Sequence, residues 1–181
     1  LPMLPVVFCV DISRNIDDEA IEQINCGLHD CIEALSHSNV FNAEICIVTF
    51  DSRAEVLCPF SSADRIDVPR IVSQGRSMHL SKGINLSLDL LEERTEEYRQ
   101  KDVYSSLPRL ILVTSGYTIG EAIHDRNVAI DRVNELIDSG SMDIIPLCVG
   151  ALDEESALHS LNTQLYHLES FEEMMKTHYW F

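Results

Sequence analysis

Val6 to Asn15, reading VVFCVDISRN, decides how the rest of the chain is read. Five apolar residues in a row, with Val and Phe prominent, fit a strand buried on both faces of a parallel sheet. Polarity then changes abruptly at Asp11, and Ser13 and Asn15 follow at every second position. Such a strand delivers three oxygen-bearing side chains to the carboxyl edge of a sheet, where open α/β folds keep their ligands. Hard divalent cations such as Mg²⁺ take oxygen donors of this kind, so Asp11, Ser13 and Asn15 form a candidate metal site. The same pattern also suits a β-to-α turn whose Asp and Ser hydrogen-bond the backbone and cap the next helix. Spacing leaves both readings open.

Outward from this stretch, the periodicity alternates between strand and helix. Asp17, Asp18 and Glu19 place negative charge where a helix begins, and Ile21, Ile24, Leu28, Ile32 and Leu35 mark one face of a helix over 18–37. Gly27 inside it is expected where the helix packs tightly on the sheet. Glu44–Phe50 and Ala54–Phe60 read as strands separated only by Asp51-Ser52-Arg53. That is too short for a parallel crossover, so the pair is expected to be an antiparallel hairpin, with Pro59 near the end of an edge strand. Residues 61–75 are polar and irregular, with room for a short helical turn. A long helix follows over 80–101, then a strand over 107–114, a helix over 127–138 and a strand over 142–150. The spacing predicts helix over 153–161, a short strand over 164–168 and a last helix over 171–176, with Tyr179-Trp180-Phe181 packed on the sheet or on a partner.

This order implies an α/β, three-layer, Rossmann-like fold: a mostly parallel six-stranded sheet with one antiparallel edge strand and helices on both faces. With no linker, repeat or low-complexity stretch, residues 1–181 are expected to form one domain, long enough to bury a full core.

Composition narrows the partners. Thirty acidic against thirteen basic residues give a net charge of −17, which argues against nucleic acid and anionic lipid, since both reward basic patches. The six cysteines form no CxxC and no zinc spacing, so a reducing compartment without disulfides is expected. No apolar run approaches membrane-spanning length and no leader is evident, so a soluble protein is expected. The seven histidines form no HExxH, and His79 draws attention only for its position in a loop expected beside Asp11. No GxGxxG, GxxxxGK[ST] or GxSxG occurs, so nucleotide-binding and hydrolase motifs are absent. Glu92, Glu93, Glu96 and Glu97 read as a solvated helix face.

The order of elements together with LPVVFCVDISRN, VTFDS, LSKGINLSLDLLEER, LILVTSG and IIPLCVG resembles a von Willebrand factor A (vWA) domain, and within that group the tellurium-resistance Y-type (TerY-like) bacterial proteins. That family carries a metal-ion-dependent adhesion site built from an Asp-x-Ser-x-Ser loop, a Thr from a second loop and an Asp after the fourth strand. Residue by residue, Asp11 and Ser13 match, Asn15 stands for the second Ser, Met78 falls at the Thr with Ser77 one position away, and Ser115 falls at the third-loop Asp. A thioether suits Mg²⁺ poorly, and one carboxylate in place of two lowers affinity. The resemblance thus implies a degenerate site, with Mg²⁺ absent or weakly bound. It implies a non-enzymatic interaction module that docks another protein through Asp11, Ser13, Asn15, Arg76, Ser77, Met78, His79, Ser115 and Tyr117. The alternatives are a metal-dependent phosphoester-processing enzyme and a homo-oligomeric structural subunit. The same resemblance implies a bacterial cytoplasmic setting in stress response, tellurium resistance or phage defence, with a kinase or phosphatase encoded nearby as partner.

Overall fold

The opening strand alternates its side chains between two different cores. In β1 (Met3–Asp11), Leu4, Val6, Phe8 and Val10 point into one apolar cluster, while Val7 and Cys9 point into the other. A strand apolar on both faces needs a covering layer on each, and the helices supply it. Helix α1 (Asp18–Ser36) buries Ile21, Ile24, Leu28, Ile32 and Leu35 in the first cluster. Helices α2 (Leu80–Gln100) and α3 (Ile123–Asp138) fill the second with Leu80, Ile84, Leu88 and Leu91, and with Ala129, Ile130 and Val133. The computed structural model describes residues 1–170, so the expected helix over 171–176 and the tail at Tyr179–Phe181 lie outside the described residues.

The remaining strands are β2 (Asn42–Phe50), β3 (Ala54–Ser62), β4 (Arg109–Thr114), β5 (Asp143–Cys148) and β6 (Tyr166–His167). They form a six-stranded sheet in the order β3-β2-β1-β4-β5-β6, with β2-β3 antiparallel and every other pair parallel. The expected fold class is therefore what the chain adopts. Because β2 lies on one side of β1 and β4 on the other, the order reverses at β1. Its carboxyl end is the switch point where open α/β sheets form their crevice.

Several boundaries differ from expectation. Strand β1 begins at Met3; Pro5 is accommodated because β4 runs alongside β1 only from Val6 onward. Helix α3 begins at Ile123, four residues before the apolar pattern shows it, because Ile123 is 66% exposed and contributes nothing to the core stripe. The helix expected over 153–161 is only a 3₁₀ turn at Ala157–Ser160, preceded by Ser156, whose hydroxyl donates to the Ser115 carbonyl at 2.9 Å. Strand β6 has two residues before a second 3₁₀ turn at Leu168–Ser170.

A glycine that permits close helix-to-sheet approach is Gly83. A Cβ at Gly83 would stand 2.5 Å from Phe50 Cδ1 and 3.0 Å from Cys9 Sγ. The irregular stretch between β3 and α2 is pinned to α1 by Asn25, whose amide accepts from Ile71 N at 2.8 Å and donates to Ile71 O at 2.9 Å. This anchor brings residues 73–79 to the end of β1.

Candidate functional site at the carboxyl edge

Three loops meet at the switch point: residues 11–15 after β1, 73–79 before α2, and 115–121 after β4. Backbone hydrogen bonds stitch them together. Gln74 N donates to Ile12 O at 2.8 Å, Arg14 N to Arg76 O at 2.9 Å, and Ile119 N to Met78 O at 2.9 Å. Asn15 Nδ2 donates to Tyr117 O at 2.7 Å, tying the first loop to the third. All nine residues expected at the site lie on these loops.

Asp11 lies at their centre with no solvent exposure. Its Oδ1 accepts the Ser13 N–H at 2.9 Å and its Oδ2 accepts the Thr114 hydroxyl at 2.8 Å. Burial pushes its carboxyl above the ordinary carboxylate range, while the hydrogen bonds from Ser13 and Thr114 pull the other way. The segment thus does carry the Asx-type turn that spacing allowed: Ser13 Oγ in turn accepts from Asn15 N at 3.4 Å, and Asp17 caps α1 through Ala20 N at 2.8 Å.

The other expected residues divide by exposure. Ser13 is fully buried and Ser115 nearly so, and Ser115 Oγ accepts from Tyr117 N at 3.3 Å. Met78 is fully buried within the second apolar cluster, so the second loop sends a thioether into the core. Arg76 is exposed; Asn15, Ser77, His79 and Tyr117 are half-buried. The Tyr117 hydroxyl donates to Ala151 O and accepts from Asp153 N, both at 3.2 Å. Hydrogen bonding with Asp153 pushes the tyrosine up and the aspartate down.

Three functional-site residues escaped the sequence reading. Thr114, the last residue of β4, holds Asp11 from across the switch point and accepts from Gly116 N at 3.1 Å. Asp51, 3% exposed at the end of β2, is a second carboxylate at this edge. Its Oδ1 accepts from Arg53 N at 2.9 Å, and its Oδ2 lies 3.4 Å from Arg76 Nη1. Glu121 caps α2: its carboxylate accepts from Leu80 N at 3.1 Å and Ser81 N at 2.8 Å, where His79 at the N-cap supplies no side-chain bond. The macrodipole of α2 favours an anion there.

A carboxylate buried at the head of β1, three converging loops and a doubly covered sheet together match one known architecture. The profile of the von Willebrand factor type A domain matches residues 6–178. The chain belongs to this family. Among solved structures, the vWF domain of the type V pili tip protein Mfa5 from Porphyromonas gingivalis is similar at 10% identity, with 98% of this chain and 95% of that chain covered and a TM-score of 0.72. The pilus adhesin SpaC from Lactobacillus rhamnosus GG aligns at 10% identity over 98% of this chain and 30% of its own, with a TM-score of 0.69. A von Willebrand factor type A protein from Catenulispora acidiphila aligns at 13% identity over 98% of this chain and 41% of its own, with a TM-score of 0.66. This A domain thus spans nearly all of the first and less than half of the other two. At such identities the likeness carries the fold alone. No curated protein sequence matches the chain. No helix among the described residues is long and apolar enough to cross a membrane.

Proposed function

We propose that this A domain is a protein-interaction module that docks a partner through its carboxyl-edge loops without a firmly held metal ion. The observation that carries the reading is Met78. The loop expected to supply an oxygen donor instead commits a fully buried thioether to the core, and its backbone carbonyl is taken by Ile119. Each Asp11 oxygen accepts an internal donor, so a cation bound there would compete with the Ser13 and Thr114 hydrogen bonds. Mg²⁺ demands near-octahedral oxygen coordination and leans on carboxylate charge. With a thioether at Met78 and the second carboxylate, Asp51, facing Arg76, the edge fits this demand poorly. Among the described residues, His29, Asp30 and Glu33 are the one group of three His, Cys, Asp or Glu side chains close enough to share an ion, and they are exposed on α1.

What the edge offers instead is a set of loops hydrogen-bonded to one another that present Arg76, His79 and Tyr117, residue types suited to protein contacts. Two of the structural neighbours are a pilus adhesin and a pilus tip protein, roles that rest on contacts with other molecules. The TerY-like assignment, a bacterial cytoplasmic setting, and a kinase or phosphatase partner remain part of this proposal, as does the organisation of residues 1–181 as one domain. Affinity capture from the source cells with wild type and with an Arg76→Ala/Tyr117→Ala double variant tests it. The wild type retains a specific partner and the double variant loses it while keeping its melting temperature within a few degrees. Equal retention by both contradicts the proposal.

A further inference from the structure

Only thirteen basic residues serve a chain with thirty acidic ones, yet Arg53, Arg70 and Arg76 line a single open groove of about 290 Å³. The groove runs beside the carboxyl edge, between the start of β3 and residues 70–76, and Ile12 and Ile71 contribute apolar surface to it. All three arginines are exposed. Arg53 forms no salt bridge among the described residues, although its backbone N–H holds Asp51. Arg70 pairs with Glu22, and the two side chains are 61% and 55% exposed, so water screens the pair and a ligand can exchange for it. Arg76 reaches Asp51 only at 3.4 Å and keeps 48% of its side chain exposed. Asp51 itself is almost wholly buried. The outward-facing acid of the lining is Glu55, and Leu57 and Val72 add exposed apolar surface.

We propose that this groove receives a short, extended acidic segment of the partner protein. Its Asp or Glu carboxylates meet the guanidinium forks of Arg53, Arg70 and Arg76, and a neighbouring apolar side chain rests on Val72 and Leu57. Guanidinium suits carboxylate because its planar donors engage both oxygens at once. A short segment fits better than a nucleic acid. The net charge of −17 repels a long polyanion, whereas charges beyond about 8 Å from a short ligand are screened at physiological salt. The inference rests on the carboxyl edge being the interaction face, and it names the partner's chemistry.

Fluorescence anisotropy with fluorescein-labelled hexa-aspartate tests it directly. The wild-type protein binds the probe. Arg53→Ala and Arg70→Ala each weaken binding by roughly fivefold, Glu55→Gln tightens it about twofold, and raising salt tenfold weakens it further. Glu96→Gln on the far helix leaves it unaltered, and unlabelled hexaserine does not compete. No binding, binding indifferent to Arg53 and Arg70, or an oligothymidylate competing as well as hexa-aspartate overturns the proposal. If hexa-aspartate fails while Tyr117→Ala still loses the captured partner, the groove is wrong and the interaction face stands. If the probe binds but the Arg76/Tyr117 variant keeps its partner, the face is wrong.

Discussion

Replacing Asp11 separates the two parts its carboxylate plays, as an acceptor and as a buried charge. The Ala variant leaves the Ser13 N–H and the Thr114 hydroxyl without their acceptor in a site closed to water. Each buried unpaired donor costs about 1–3 kcal/mol, offset by release of a carboxylate whose burial is itself unfavourable, so Asp11→Ala is expected to lose about 2 kcal/mol. The Asn variant keeps an oxygen for Ser13 N–H and turns an amide N–H toward Thr114 Oγ1. It is expected to stay within about 1 kcal/mol of wild type at pH 7. The pH dependence has a definite sign. Burial raises the folded-state carboxyl above its unfolded value, so the folded protein holds that proton more tightly. The stability Asp11 contributes is full below about pH 4, declines as pH rises through the raised value, and is level above it. In urea unfolding from pH 4 to 7, wild type therefore loses stability relative to Asp11→Asn. A gap independent of pH would show that folding does not raise the carboxyl, and an Asn variant as damaged as the Ala variant would indicate that the negative charge itself is required; either result refutes this reasoning.

Other perturbations probe the frame around the site. Gly83→Ala gains up to about 1 kcal/mol of helix propensity, but its Cβ would stand 2.5 Å from Phe50 Cδ1. Overpacking prevails and the variant is expected to be about 1–3 kcal/mol less stable by thermal melting. Glu121→Ala strips α2 of the carboxylate that accepts from Leu80 N and Ser81 N. A loss of about 1–2 kcal/mol and faster amide exchange at residues 79–82 are expected. Thiol chemistry separates the six cysteines: burial pushes Cys9 and Cys46 up to about 12, and Cys26 is the exposed one. The native protein should react with one equivalent of a disulfide reagent at neutral pH, and Cys26→Ser should abolish that fast phase.

Where the chain advertised its structure, it did so through periodicity. The alternation in VVFCV that sends Phe8 to one cluster and Cys9 to the other, and the stripe from Ile21 to Leu35, are visible because burial acts on many residues in register. The three-residue connection at Asp51–Arg53 likewise leaves an antiparallel hairpin as the simple solution. The parts that were not legible depend on single residues acting across long separations. Thr114 grips Asp11 from 103 positions away, and Glu121 caps a helix that begins 41 residues earlier; neither leaves a local pattern. The turn at Ala157–Ser160 shows the reverse, since Ala157, Leu158 and Leu161 mimic a helical stripe while Ser156 is drawn to the Ser115 carbonyl. Asp51 stood in a stretch recognised for its strand and turn, and its pairing with Arg76 depends on the path of residues 70–76, which no periodicity marks.

We propose that this carboxyl edge works without a resident cation. Calorimetric titration of Mg²⁺ and of Mn²⁺ into wild type and into Asp11→Ala measures that most directly. Dissociation constants weaker than about 1 mM for both ions in both proteins are predicted, because a cation at Asp11 would compete with the Ser13 and Thr114 hydrogen bonds and Met78 places a buried thioether where an oxygen ligand is needed. Sub-millimolar binding to wild type that vanishes in Asp11→Ala would contradict it.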